Sequence, residues 1–150
     1  MRLSATDANR HASTPRTRYA FLTLPDYSMI ALANAIEPLR MANRVSGQSA
    51  YEWLVVSTDG EPVTASNGLM MTPTTCLADA PDVDMVFVCG GVNVREAVSA
   101  ALVNALRRLA ARRMPLGALC TGGYALAQAG LLDGYHATIH WENLSALREQ

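Results

Sequence analysis

Cysteine, net charge and long apolar runs are all scarce in this chain of 150 residues. Cys76, Cys89 and Cys120 are an odd number of thiols at unrelated spacings. They form neither a disulfide ladder nor a zinc pattern, which excludes a disulfide-stapled secreted scaffold and fits a reducing cytoplasm. No metal or other cofactor is expected. A formal net charge of −1 gives the segment no field with which to grip a polyanion by itself. Arg107, Arg108, Arg112 and Arg113 cluster on a run of helical spacing, where they read as its solvated side. No window approaches a membrane span. The first residues, with Arg2, Arg10 and His11, have no apolar core of a signal peptide.

What is present suits a buried sheet. Hydrophobic residues make up 50% of the chain, and the length fits one domain able to bury about two thirds of its unfolded surface. Residues 1–17 are polar and aperiodic and read as a disordered leader, with residues 18–150 as the folded domain. Tyr19 to Leu24 is a short apolar run closed by Pro25-Asp26, hence a first strand. A helix is expected within Ser28 to Val45, with Met29, Leu32, Ala33, Ile36 and Leu39 as its apolar stripe and Pro38 as a kink or its true first turn. Tyr51 to Ser57 follows as a strand. Pro62 to Met71 reads as a small hairpin or irregular excursion turning at Asn67-Gly68, and Asp84 to Cys89 as a central strand. Val94 to Arg113 reads as one long helix and Met114 to Leu119 as the next strand. Thr121 to Ala129 reads as a helix capped by Gly130, Tyr135 to Ile139 as a short strand, and Glu142 to Gln150 as a further helix. That last pattern meets the chain's end without a cap, which suggests a piece of a longer protein. Strand and helix alternate, so the expected fold is α/β with a parallel sheet and sites at the carboxyl ends of its strands.

The segment Gly117-Ala-Leu-Cys-Thr-Gly-Gly-Tyr124 carries the most chemical information. An apolar run stops at a cysteine and a helical pattern starts at once. That is the pattern of a nucleophile elbow, in which small neighbours let the backbone turn sharply. A thiol there sits at a helix N-terminus, whose dipole and free N–H groups favour thiolate; the alternative is a buried structural cysteine. Gly90-Gly91 ends a neighbouring strand, where its N–H groups with that of Thr121 could hold an oxyanion or carboxylate, or simply serve as a helix-entry turn. His140 could pair with Cys120 as base, or pack beside Trp141. Glu142 reads as a first-turn helix residue facing water, His136 as a surface residue, and Cys76 and Cys89 as loop and core.

The order strand–Gly-Gly, long helix, strand–Cys-Thr-Gly, a helix ending Ala-Gly-Leu-Leu-Asp-Gly, then Ala-Thr-Ile-His-Trp resembles the DJ-1/PfpI branch of the class I glutamine amidotransferase-like superfamily. More narrowly, ALCTGGYALAQAGLLDGYHATIHW and AIEPLRMAN are similar to the sensor half of GlxA-type regulators of the AraC family. The resemblance covers Tyr19 to Gln150. It implies a flavodoxin-like three-layer sandwich with a mostly parallel central sheet. It also implies an effector-sensing and dimerising domain, with DNA contacted only through a C-terminal helix-turn-helix domain not in this chain. Enzymatic and redox-active members carry an acidic residue early in the first helix, bonded to the cysteine. The matching position falls near Ala31, and the nearest upstream acid is Asp26. This departure favours a sensor over a catalyst. Similar regulators respond to small nitrogen metabolites such as glycine betaine, carnitine or arginine. Gly90, Gly91, Cys120, Thr121 and His140 could then meet a carboxylate, with Tyr27, Tyr124 and Trp141 as aromatic faces for a cationic head. The alternative is a cysteine-dependent hydrolase, hydratase or glyoxalase-type enzyme using Cys120 and His140.

Overall fold

A computed structural model describes residues 16–141. The helical pattern read over residues 142–150, and the leader as far as residue 15, lie outside the described residues. Thr17, assigned to the leader, instead opens the first strand, β1 (Thr17–Thr23). Arg16 and Arg18 reach Glu52 on the neighbouring strand, β2 (Tyr51–Ser57).

Between these strands runs α1 (Met29–Ser46). Ser28 caps it by accepting the Ala31 N–H at 3.4 Å, and Gly47 closes it in the left-handed region. Pro38 lies mid-helix, and α1 runs unbroken through it; it does not mark a first turn. The buried stripe is Met29, Leu32, Ala35, Ile36 and Leu39, with Ala35 in the place expected for Ala33, which is exposed. After β2 come a small antiparallel hairpin, β3 (Val63–Thr64) with β4 (Met70–Met71), and a two-residue edge strand, β5 (Thr75–Cys76). Gly68 supplies the left-handed turn of that hairpin. Cys76 therefore sits on a strand rather than in a loop. Then follow β6 (Met85–Cys89), α2 (Val94–Ala97), α3 (Ala100–Ala111), β7 (Leu116–Leu119), a 3₁₀ turn (Cys120–Gly122) and α4 (Gly123–Gln128).

Two further expectations need correction. The long helix from Val94 is broken: Val98 turns extended and Ser99 caps a new helix by accepting the Leu102 N–H at 3.2 Å. A serine hydroxyl competes with the helical backbone in this way, and apolar periodicity does not reveal it. Tyr135 to Ile139 forms no strand. Residues 135–138 are exposed, and a β-prone run becomes a strand only when a ladder partner accepts it.

The sheet order is β5-β2-β1-β6-β7, all parallel. Because side chains alternate along each strand, two separate cores form. Ala20, Leu22, Val86 and Val88 face α3 and α4, while Phe21 and Cys89 face α1. Phe21 stacks on Phe87 of the same face at 5.6 Å between centroids. The register sets Thr23 beside Cys89 and Cys89 beside Leu119, so three strands stop level with one another. Gly130 closes α4 in the left-handed region, with its N–H on the Ala127 carbonyl and that of Leu131 on Leu126. We expect Phe21→Ala, at a site only 1% exposed, to cost about 3–5 kcal/mol of stability by urea denaturation.

Candidate functional site

At the level carboxyl ends of β1, β6 and β7 the backbone makes contacts that only certain residues permit. Cys120 stands at the end of β7 with φ of 54°, a left-handed conformation that costs a non-glycine residue about 1–3 kcal/mol. The strand arrives extended at Leu119 and the 3₁₀ turn begins immediately. This is the geometry of an elbow, and it leaves Cys120 half-buried.

The glycines around it are close-approach residues. A Cβ on Gly122 would lie 2.0 Å from the Val88 carbonyl oxygen. One on Gly90 would lie 2.5 Å from the Gly122 nitrogen and 2.6 Å from Thr121 Oγ1. One on Gly91 would lie 1.9 Å from the Asp26 carbonyl oxygen. The end of β6 is therefore pressed against the elbow on one side and the loop after β1 on the other. Thr121, only 1% exposed, ties the first of these contacts by donating its hydroxyl to the Gly91 carbonyl at 2.7 Å.

The loop after β1 is locked in turn. The Ser28 N–H donates to the Gly90 carbonyl and the Val92 N–H to the Asp26 carbonyl. The Asp26 N–H donates to Thr64 of the hairpin. Asp26 and Asn93 both adopt left-handed φ, which short polar side chains tolerate, and the Asn93 amide donates to the Asp26 carboxylate at 3.2 Å. Asp26 is thus a turn residue held by Asn93. This lock is a feature the sequence reading missed; the only signal for it is the pair of Asp and Asn beside Pro25 and before Val94.

The anticipated site residues divide into those at the elbow and those in the cores. Gly91, Cys120 and Thr121 come together directly. Gly90 lies with them, but its N–H is directed at the Leu119 carbonyl at 3.3 Å. The N–H groups of Gly91 and Thr121 remain as the candidate anion donors. His140 arrives from a loop rather than from a strand end. Its segment crosses the start of α4, where a Cβ on Gly123 would meet the Thr138 carbonyl at 3.6 Å and Ile139 at 3.9 Å. His140 is half-buried, with its ring 5.7 Å from that of Trp141, which is 74% exposed. The two tyrosines lie elsewhere. Tyr27 is fully buried in the α1-side core with its hydroxyl on Met29 Sδ, and Tyr124 is buried in the α3–α4 core. Of the three aromatic faces, Trp141 alone is open. Cys89, in the α1-side core, has its thiol pushed up to about 12 by burial. No acidic residue stands in the first turn of α1, where Ala31 gives its N–H to Ser28.

The comparisons agree with this architecture. The DJ-1/PfpI family matches residues 21–150. The HTH-type transcriptional regulator GbdR of Pseudomonas aeruginosa is 50% identical over 129 residues, which is 86% of this chain and 35% of that protein. Isonitrile hydratase of Pseudomonas putida is 33% identical over 122 residues, covering 81% of this chain and 51% of the enzyme. A solved AraC family transcriptional regulator from Pseudomonas putida superposes with a TM-score of 0.76 at 33% identity, over 89% of this chain and 71% of that one. The chain belongs to the DJ-1/PfpI family, and it spans only about a third of the length of the curated regulator. Among the described residues no helix is long and apolar enough to cross a membrane.

If the close approaches build the site, Gly122→Ala will lose about 3 kcal/mol in a denaturant melt, because its clash is with backbone. Gly123→Ala, one residue on and in ordinary contact distance, will stay within about 1 kcal/mol of the parent.

Proposed function

We propose that this domain senses a small effector and pairs with a second copy of itself within an AraC-type transcriptional regulator that acts in the cytoplasm. DNA would be contacted by a helix-turn-helix domain carried elsewhere in that longer protein. The observation that carries this reading is an enzyme-like elbow without an enzyme's acid. Cys120 keeps the strained turn, yet α1 offers no carboxylate in its first turn. Similarity to GbdR and to the AraC family structure supports the same reading.

The effector fitting this geometry is a small nitrogen-containing metabolite of the betaine, carnitine or amino-acid type. Its carboxylate would accept from the N–H groups of Gly91 and Thr121 at the start of the turn. His140 would face it from the loop across α4. A cationic head would lie against the open face of Trp141. Calorimetric titration with a panel of betaines, carnitine and amino acids should give saturable binding for at least one compound, weakened about fivefold or more by Trp141→Ala. Silence across the panel contradicts the reading.

The elbow itself favours a second reading, a cysteine-dependent hydrolase or hydratase using Cys120 and His140, and the likeness to isonitrile hydratase supports it. Cys120→Ser separates the two. A sensor keeps effector binding and transcriptional output within about twofold; an enzyme loses turnover by orders of magnitude.

Pairing is supported by α1. Its outer face exposes Ile30 (71%), Met41 (43%) and Val45 (80%) at helical spacing, with the exposed Asn34 and Glu37 between them. Two antiparallel copies of α1 would set Ile30 opposite the copy's Val45 and Asn34 opposite the copy's Met41. Glu37, joined to Arg40 within one helix at 2.7 Å, would then lie within a turn of the copy's Arg40. Sedimentation should show a dimer that becomes monomeric in Ile30→Glu/Val45→Glu; a dimer indifferent to both substitutions removes α1 from the interface.

A further inference from the structure

A groove of about 540 Å³ lies away from the elbow, along the flank of α3 turned from α4. Arg107 identifies the other flank, donating across to the Ala129 carbonyl at the end of α4 at 3.0 Å. On the groove side, α3 presents Ala101, Ala105, Arg108 and Arg112, and the facing wall comes from the residues that follow β2 and β5. Leu77, Leu102 and Leu109 make an apolar lining.

The charge of this groove is net positive. Arg108 and Arg112 are one helical turn apart, and both are exposed. Among the described residues neither guanidinium takes part in an ion pair or hydrogen bond. Asp59, the acid that lines the groove, has its carboxylate engaged by the Ser57 hydroxyl at 3.4 Å and the Glu61 N–H at 3.1 Å. Two cations against one carboxylate leave a net positive charge over an apolar trough of the size that holds small organic ligands. The small side chains of Ala101 and Ala105 keep the trough open. A bare inorganic anion would use the arginines and leave Leu77 and Leu109 wet; a neutral apolar molecule would do the reverse.

We propose that this groove is a second binding site, for an organic anion with an aliphatic body. The carboxylate is gripped by Arg108 and Arg112, and the chain lies over Leu77, Leu102 and Leu109. Arginine suits this role because its planar fork meets a carboxylate through two parallel N–H bonds. The site is independent of the elbow, so it stands or falls separately from the effector reading.

The test is a calorimetric titration below the micelle concentration with decanoate, decanol and acetate. Decanoate should bind saturably, and at least tenfold more tightly than either decanol or acetate. Arg108→Gln/Arg112→Gln, which removes both charges and keeps polar side chains, should bring decanoate down to the level of decanol. Ala105→Phe, which fills the trough, should abolish decanoate binding while circular dichroism confirms the fold. Cys120→Ser and Trp141→Ala should leave decanoate affinity unchanged. Absence of saturable binding, indifference to the arginine substitutions, or loss through the Cys120 or Trp141 variants would each overturn the proposal.

Discussion

The end of β6 lies against the turn that follows β7 at distances no side chain would tolerate, and the site depends on that contact. Gly90 and Gly122 make it sterically possible, and Thr121 ties it with a buried hydrogen bond to the Gly91 carbonyl. An unpaired hydroxyl in that position would cost roughly 1–3 kcal/mol, so the bond fixes the turn as well as satisfying it. The strain at Cys120 is sustained because the close contacts of Gly90 and Gly122 and the Thr121 hydrogen bond fix the turn that carries it.

The sheet supplies the platform for this contact. Because β1, β6 and β7 stop level, their following loops meet at one edge, and a short loop from each can touch the next. The α1-side core, with Phe21 on Phe87 and Tyr27 and Cys89 beneath the loop after β1, holds that loop from below. Asp26 and Asn93 hold it from above. Rigidity here is consistent with a binding role, in which donors are aimed before the ligand arrives. The first turn of α1 carries no acidic residue, and its Ala31 N–H is capped by Ser28.

Much of this was legible in the sequence where one residue type has one reason to be there. Glycines spaced around a cysteine at the end of an apolar run mark the elbow, and β2 and the hairpin turn at Asn67-Gly68 fall where pattern and turn chemistry place them. What escaped the sequence depends on partners distant along the chain or on a local competition that periodicity hides. Ser99 looks like one more position in a helix until its hydroxyl claims the Leu102 N–H. Tyr27 and Tyr124 sit at the edges of predicted elements, and only tertiary packing decides that both rings go inward. The N–H of Gly90 looks available until β7 provides a carbonyl for it. Tyr135 to Ile139 has strand-like residues but no ladder to join.

Alkylation of Cys120 by iodoacetamide, followed by peptide mass mapping with and without effector, tests most directly whether ligand and elbow coincide. A betaine, carnitine or amino acid that binds in calorimetry should slow modification of Cys120 in proportion to occupancy while leaving Cys76 unaffected. If that effector at saturation leaves the Cys120 rate unchanged, it binds elsewhere and the elbow is not the sensing site.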